Sequence, residues 1–131
     1  LDKKRVIIAD RSQDLLEGIR GLLETVFDSV VMVADTGSLV DAVKRLDVDL
    51  VVMDQSLYAK QGLNVIKAIK SVLPGVKVIV MSIHDEAAAL DKALAAGAEG
   101  FVLKREAATD LIPAVEAVLE GRTFASVIHK S

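Results

Sequence analysis

A chain of 131 residues suits one domain with enough length to bury a real core. Hydrophobic residues make up 52% of it, yet no apolar run approaches the roughly 20 residues of a membrane span, and no segment reads as a signal peptide. The formal charge is −3, with 16 basic residues scattered among 19 acidic ones, which argues against direct nucleic-acid binding by this segment, and zero cysteines exclude disulfides and thiolate metal sites while fitting the cytoplasm.

The first apolar run, residues 6–9, reads as a strand. Leu15, Leu16, Ile19, Leu22, Leu23, Val26 and Phe27 then recur at the spacing of one helix face. A second strand is expected over 30–34, after which Thr36-Gly37-Ser38 opens the second helix with capping residues. The third strand covers 50–53, and Leu73-Pro74-Gly75 stops the helix that follows it. Residues 76–81 form the fourth strand, and the Ala-rich stretch 87–96 is the fourth helix, ending at Gly97. A fifth strand spans 101–103, and Ala107, Ala108, Leu111, Ile112, Val115, Val118 and Leu119 mark the last helix. Most of the runs are β-branched and continuously apolar, as strands buried on both faces of a parallel sheet are. The alternation predicts an α/β fold, a doubly wound five-stranded parallel sheet flanked by five helices. One domain is expected over 1–121. Residues 122–131 lose the periodicity and read as a tail or the start of a linker. The chain begins with Leu1 rather than Met, which suggests a processed or excised piece.

In an open parallel sheet the ligand crevice lies outside the carboxyl ends of the strands, where the strand order switches. The residues that end the strands are Asp10-Arg11, Asp54-Gln55-Ser56, Ser82 and Lys104. Two carboxylates, a hydroxyl and a lysine from separate stretches of chain therefore converge on one edge. A carboxylate such as Asp54 can act as a nucleophile and form an acyl phosphate. The transferred group carries spread negative charge, which Lys104 and the Ser82 hydroxyl could meet. Mg²⁺ would need only one or two carboxylates, together with phosphate oxygens and water.

Asp10, Val51-Val52-Met53-Asp54, Gly62, Met81-Ser82 and Gly100-Phe101-Val102-Leu103-Lys104 together resemble the response-regulator receiver domain of two-component signalling, over residues 5–121. His84-Asp85-Glu86, Ala96-Gly97-Ala98-Glu99-Gly100 and Glu120-Gly121-Arg122 bring it nearest to the receivers of LuxR-type transcription regulators. The resemblance implies a flavodoxin-like fold, with Asp54 as phosphoacceptor and Lys104 and Ser82 binding the phosphoryl group. It also implies that Phe101 is the aromatic whose rotamer reports the state, and that Mg²⁺ is held by Asp10, Asp54 and the Ser56 carbonyl. A sensor histidine kinase as donor, a homodimer and a C-terminal DNA-binding domain outside this chain are implied as well. No enzyme activity is expected beyond self-phosphorylation from a kinase or small phosphodonor.

The sequence departs from the family pattern in the pocket. Arg11 stands where a second acid is usual, so Mg²⁺ binding should be weak or absent. Either Arg11 reaches Asp54 and fixes a pseudo-receiver without phosphorylation, or it swings outward and leaves a usable acceptor. The loop lacks the family's proline at Tyr58 and an acid at Gln61, and Arg105 replaces a common proline. Other residues have plainer readings. Asp10 could cap the first helix, in competition with Ser12; His84 and His129 read as surface residues; Gly62 meets a backbone requirement. Ile83, Ala87, Leu94 and the last helix are candidates for a surface that controls self-association. The alternative function is a non-phosphorylated structural interaction or dimerisation domain. An aspartyl phosphatase would want an acid where Ser56 stands, and a nucleotide-binding enzyme would want a glycine-rich loop after the first strand.

Overall fold

The computed structural model describes residues 4–59 and 64–126. In chain order the elements are β1 (Arg5–Ala9), α1 (Gln13–Leu23), β2 (Ser29–Val33), α2 (Thr36–Arg45), β3 (Leu50–Asp54), the short α3 (Ser56–Ala59) and α4 (Asn64–Val72). There follow β4 (Lys77–Ser82), α5 (Ala87–Ala95), β5 (Gly100–Leu103), a 3₁₀ turn (Lys104–Glu106), α6 (Ala107–Leu119) and β6 (Phe124–Ala125). The strands are all parallel, in the order β2-β1-β3-β4-β5-β6. The five expected strands are present within one residue of their bounds, and five helices of nine residues or more join them.

The expected strand number is corrected from five to six. Part of the segment read as a tail lies on the outer edge of β5, with Gly100 opposite Phe124 and Phe101 opposite Ala125. Two residues are too few to show any periodicity, and Ala125 is exposed, so no apolar signature marks the strand. The pairing is nonetheless hydrogen-bonded: the Phe124 N–H donates to the Glu99 carbonyl (3.1 Å) and the Ser126 N–H to that of Phe101 (2.8 Å). The buried Ser126 hydroxyl accepts the Leu103 N–H (3.0 Å) and donates to Asp110 of α6 (2.6 Å).

Alternate residues of each central strand point to opposite faces. Ile7, Val51, Val78 and Phe101 pack beneath α2, α4 and α5, whereas Ile8, Val52, Ile79 and Val102 pack beneath α1 and α6. Central strands need apolar residues at every position for this reason, while the edge strand β2 is only half-buried throughout. Gly100 permits the close approach of β5 to β4, since a Cβ there would lie 2.8 Å from Ile79 Cγ1. Gly97, at φ +104°, turns the chain out of α5. Lys70 of α4 and Glu99 lock the end of the sheet away from the crevice: Nζ lies 2.5 Å from Glu99 Oε2, whose other oxygen accepts the Val78 N–H at 2.9 Å.

One cap differs from the sequence reading, and the other falls to one of its two candidates. Asp35, one residue before Thr36-Gly37-Ser38, caps α2 by accepting the Ser38 N–H (2.7 Å). Ser12 caps α1, so Asp10 is left for the sheet edge. Among the described residues no helix is long and apolar enough to cross a membrane.

Candidate functional site

The strand order reverses between β1 and β3, which opens a crevice at their carboxyl ends. Asp10 follows β1 and Asp54 ends β3. Both are buried, as is Ser82 at the end of β4, and a buried polar group is costly unless it finds a partner. For the two acids that partner is Lys104. Its ammonium lies 2.8 Å from Asp10 Oδ2 and 2.5 Å from Asp54 Oδ1, so one cation is shared by two carboxylates. The 3₁₀ turn that begins at Lys104 directs its side chain back over the sheet edge.

The remaining oxygen of Asp54 is held by Ser56, whose backbone N–H donates at 2.9 Å and whose hydroxyl donates as well. Burial raises the Asp54 pKa, but the hydrogen bonds from Lys104 and Ser56 outweigh it and hold the carboxyl below its ordinary 3.8. Burial likewise pulls Lys104 down, and its bonds to Asp10 and Asp54 reverse the effect, so the ammonium titrates above its ordinary 10.5. Asp54 is thus an ionised carboxylate at neutral pH, and Lys104 is a fixed positive charge beside it. The Asp10 Oδ1 atom accepts the Ser12 N–H at 2.9 Å, which orients the acid toward the lysine.

Beside these groups lies a cleft of about 240 Å³ lined by Asp54, Gln55, Ser56, Ile83, His84 and Lys104. The Ser82 hydroxyl does not point to Asp54. It donates to Gln55 Oε1 and accepts the His84 N–H at 2.9 Å, with the His84 carbonyl 3.2 Å away. Phe101 is fully buried in the core beneath α2, α4 and α5. Arg11 is exposed, and its charge acts on Asp35, not on Asp54, whose cation is Lys104. The structure therefore brings Asp10, Asp54, Ser56 and Lys104 together, with Ser82 adjacent and Arg11 apart. Gly62, Lys60, Gln61 and His129 lie outside the described residues. The sequence assigned no role to Gln55. Its signal was positional: Asp54 pairs with Met81 in register, which sets Gln55 beside Ser82.

Among the described residues no group of three or more His, Cys, Asp or Glu is arranged to hold a metal ion. Two carboxylates facing one cation still form a donor set that Mg²⁺ accepts when phosphate and water complete it.

A family model described as the response regulator receiver domain matches residues 6–116. The chain belongs to this family. Its LuxR-type branch supplies similar proteins. The transcriptional regulatory protein RcsB of Escherichia coli K12 is 33% identical over 129 residues, covering 95% of this chain and 60% of that protein. DegU of Brevibacillus brevis is 31% identical over 125 residues, covering 94% and 53%. The non-phosphorylated receiver domain of RcsB from Escherichia coli superposes with a TM-score of 0.80 at 32% identity, over 96% of this chain and 100% of that one. A LuxR-family response regulator from Aurantimonas sp. SI85-9A1 gives a TM-score of 0.82 at 29% identity, over 94% and 89%. The chain thus spans a little over half the length of the curated relatives it matches.

Proposed function

We propose that this receiver accepts a phosphoryl group on Asp54 and uses it to control self-association or an attached transcriptional output domain. The observation that carries the reading is the single ammonium of Lys104 shared by two buried carboxylates from β1 and β3. An Asp54 oxygen attacks the phosphorus of a phosphohistidine or small phosphodonor, the donor's bond to phosphorus breaks, and an acyl phosphate forms. Lys104 faces the added charge, of about −1.5 to −2 for phosphoryl groups in general. The Ser82 hydroxyl would turn toward the new oxygens, and Phe101 would take up the change beneath the sheet.

Mg²⁺, when bound, would supply further positive charge to the reacting oxygens, and Asp10, Asp54 and the Ser56 carbonyl would hold it. Arg11 adds no acid to that set, so binding is weak. Because Arg11 stands outside the pocket, the geometry favours a usable acceptor over a pseudo-receiver fixed by an Arg11–Asp54 pair. The donor is a sensor histidine kinase, and the setting is the cytoplasm. Ile83 and Leu94 are 70% and 44% exposed beside the site and on α5, which suits a homodimer contact. RcsB is known as dimers bound to DNA, and an output domain outside this chain would give it the same role.

The test is intact-mass detection of a phosphoryl adduct after incubation with acetyl phosphate and Mg²⁺, using Asp54→Ala as control. An Asp54-dependent adduct supports the reading. A folded sample that gives none, while a conventional receiver reacts alongside, leaves a structural dimerisation domain.

A further inference from the structure

Ser82 has one hydroxyl proton and can donate it to one acceptor at a time. Two acceptors are within reach: Gln55 Oε1, which takes the bond, and the His84 carbonyl at 3.2 Å. The fully buried hydroxyl therefore does not need Gln55 to be satisfied. The Gln55 main chain is fixed beside Ser82, because its backbone N–H donates to the Met81 carbonyl at 2.9 Å, one residue before Ser82. It also lines the cleft beside Asp54.

We propose that Gln55 is a positioning residue that latches the Ser82 hydroxyl in its resting direction and so sets how readily the receiver takes up a phosphoryl group. The proposal rests on the receiver reading above. While the Ser82 proton is given to Gln55, it cannot be given to an oxygen on Asp54. Uptake must break the latch, and the typical net worth of one hydrogen bond converts to roughly a three- to tenfold penalty on binding.

The test compares beryllofluoride affinity, with Mg²⁺ present, in the wild type, Gln55→Leu, Ser82→Ala and the double variant, after thermal melting has shown each to be folded. Gln55→Leu should tighten binding about three- to tenfold where Ser82 is intact. It should change nothing in the Ser82→Ala background, because a latch needs its hydroxyl. Equal effects in both backgrounds, or no effect in either, overturn the proposal. The second readout needs no phosphoryl analogue. NMR couplings should report one Ser82 rotamer in the resting wild type and averaging in Gln55→Leu, and an unchanged single rotamer also overturns the latch. Failure of the wild type to take beryllofluoride, with the rotamer averaging present, would count against the receiver reading and leave the latch standing.

Discussion

Lys104 is the residue on which the pocket's electrostatics turn. Replacing it with Met leaves two buried carboxylates facing each other without a cation, at a cost of about 3 kcal/mol near neutral pH. The pH dependence follows from the shifts. Asp54 is held below 3.8, so its contribution is complete above that value and is lost as pH falls through the depressed folded pKa. Lys104 is held above 10.5, so its contribution is complete below that value and is lost as pH rises through the raised one. The pair thus adds no slope to stability between about pH 5 and 9. In Lys104→Met the Asp54 pKa rises instead, because burial is left without its cation, and stability should fall as pH rises from about 4 to 7. Urea unfolding of both proteins across that range measures it, and a flat difference would show that Lys104 is not the compensating charge. Gly100 tests packing at the same scale. A methyl group 2.8 Å from the core atom Ile79 Cγ1 forces the Ile79 side chain or the strands to give way, so Gly100→Ala should cost about 1–3 kcal/mol in the same assay. Asp10, Asp54, Ser82 and Lys104 were legible in the sequence because strand ends follow from the apolar runs, and a parallel sheet gathers them on one edge. The direction of Arg11 was not. A long side chain in a loop has no periodicity to reveal where it points.

At the scale of elements, the Lys70–Glu99 contact joins α4 to the approach of β5. Glu99→Ala removes the acceptor of the Val78 N–H as well as the ion pair, and should cost about 1–3 kcal/mol. Glu99→Gln keeps an acceptor for the N–H and should lose less. Equal losses in thermal melts would mean that the charge, not the backbone bond, dominates. The first and last helices were readable from one-face spacing, and the ends of two others from Pro74-Gly75 and Gly97. The α2 cap fell one residue early because Asp35 and Ser38 are both good capping types, and only the backbone decides which of them is extended. The sixth strand escaped notice for a different reason. Phe124 and Ala125 are held by a neighbouring edge and by Ser126, a long-range cause that no local pattern carries.

For the whole molecule, Ser126 is where the last strand, β5 and α6 meet. Ser126→Ala leaves the buried Leu103 N–H without an acceptor and removes the hydroxyl donor to Asp110 Oδ2, at about 1–3 kcal/mol. Hydrogen exchange at the Leu103 amide should quicken in this variant, while exchange in β1 and β3 rises only as far as global stability falls. Unchanged protection at Leu103 would show that β6 does not depend on the serine. The same feature bears on how the protein is made. Synthesis runs from β1 toward β6, so the β5 edge stays bare until residues 124–126 leave the ribosome. A bare edge next to a hydrophobic sheet is a template for pairing with neighbouring nascent chains. Three residues arriving late close that edge, and the nascent sheet becomes safe from its neighbours on that side only once they have docked.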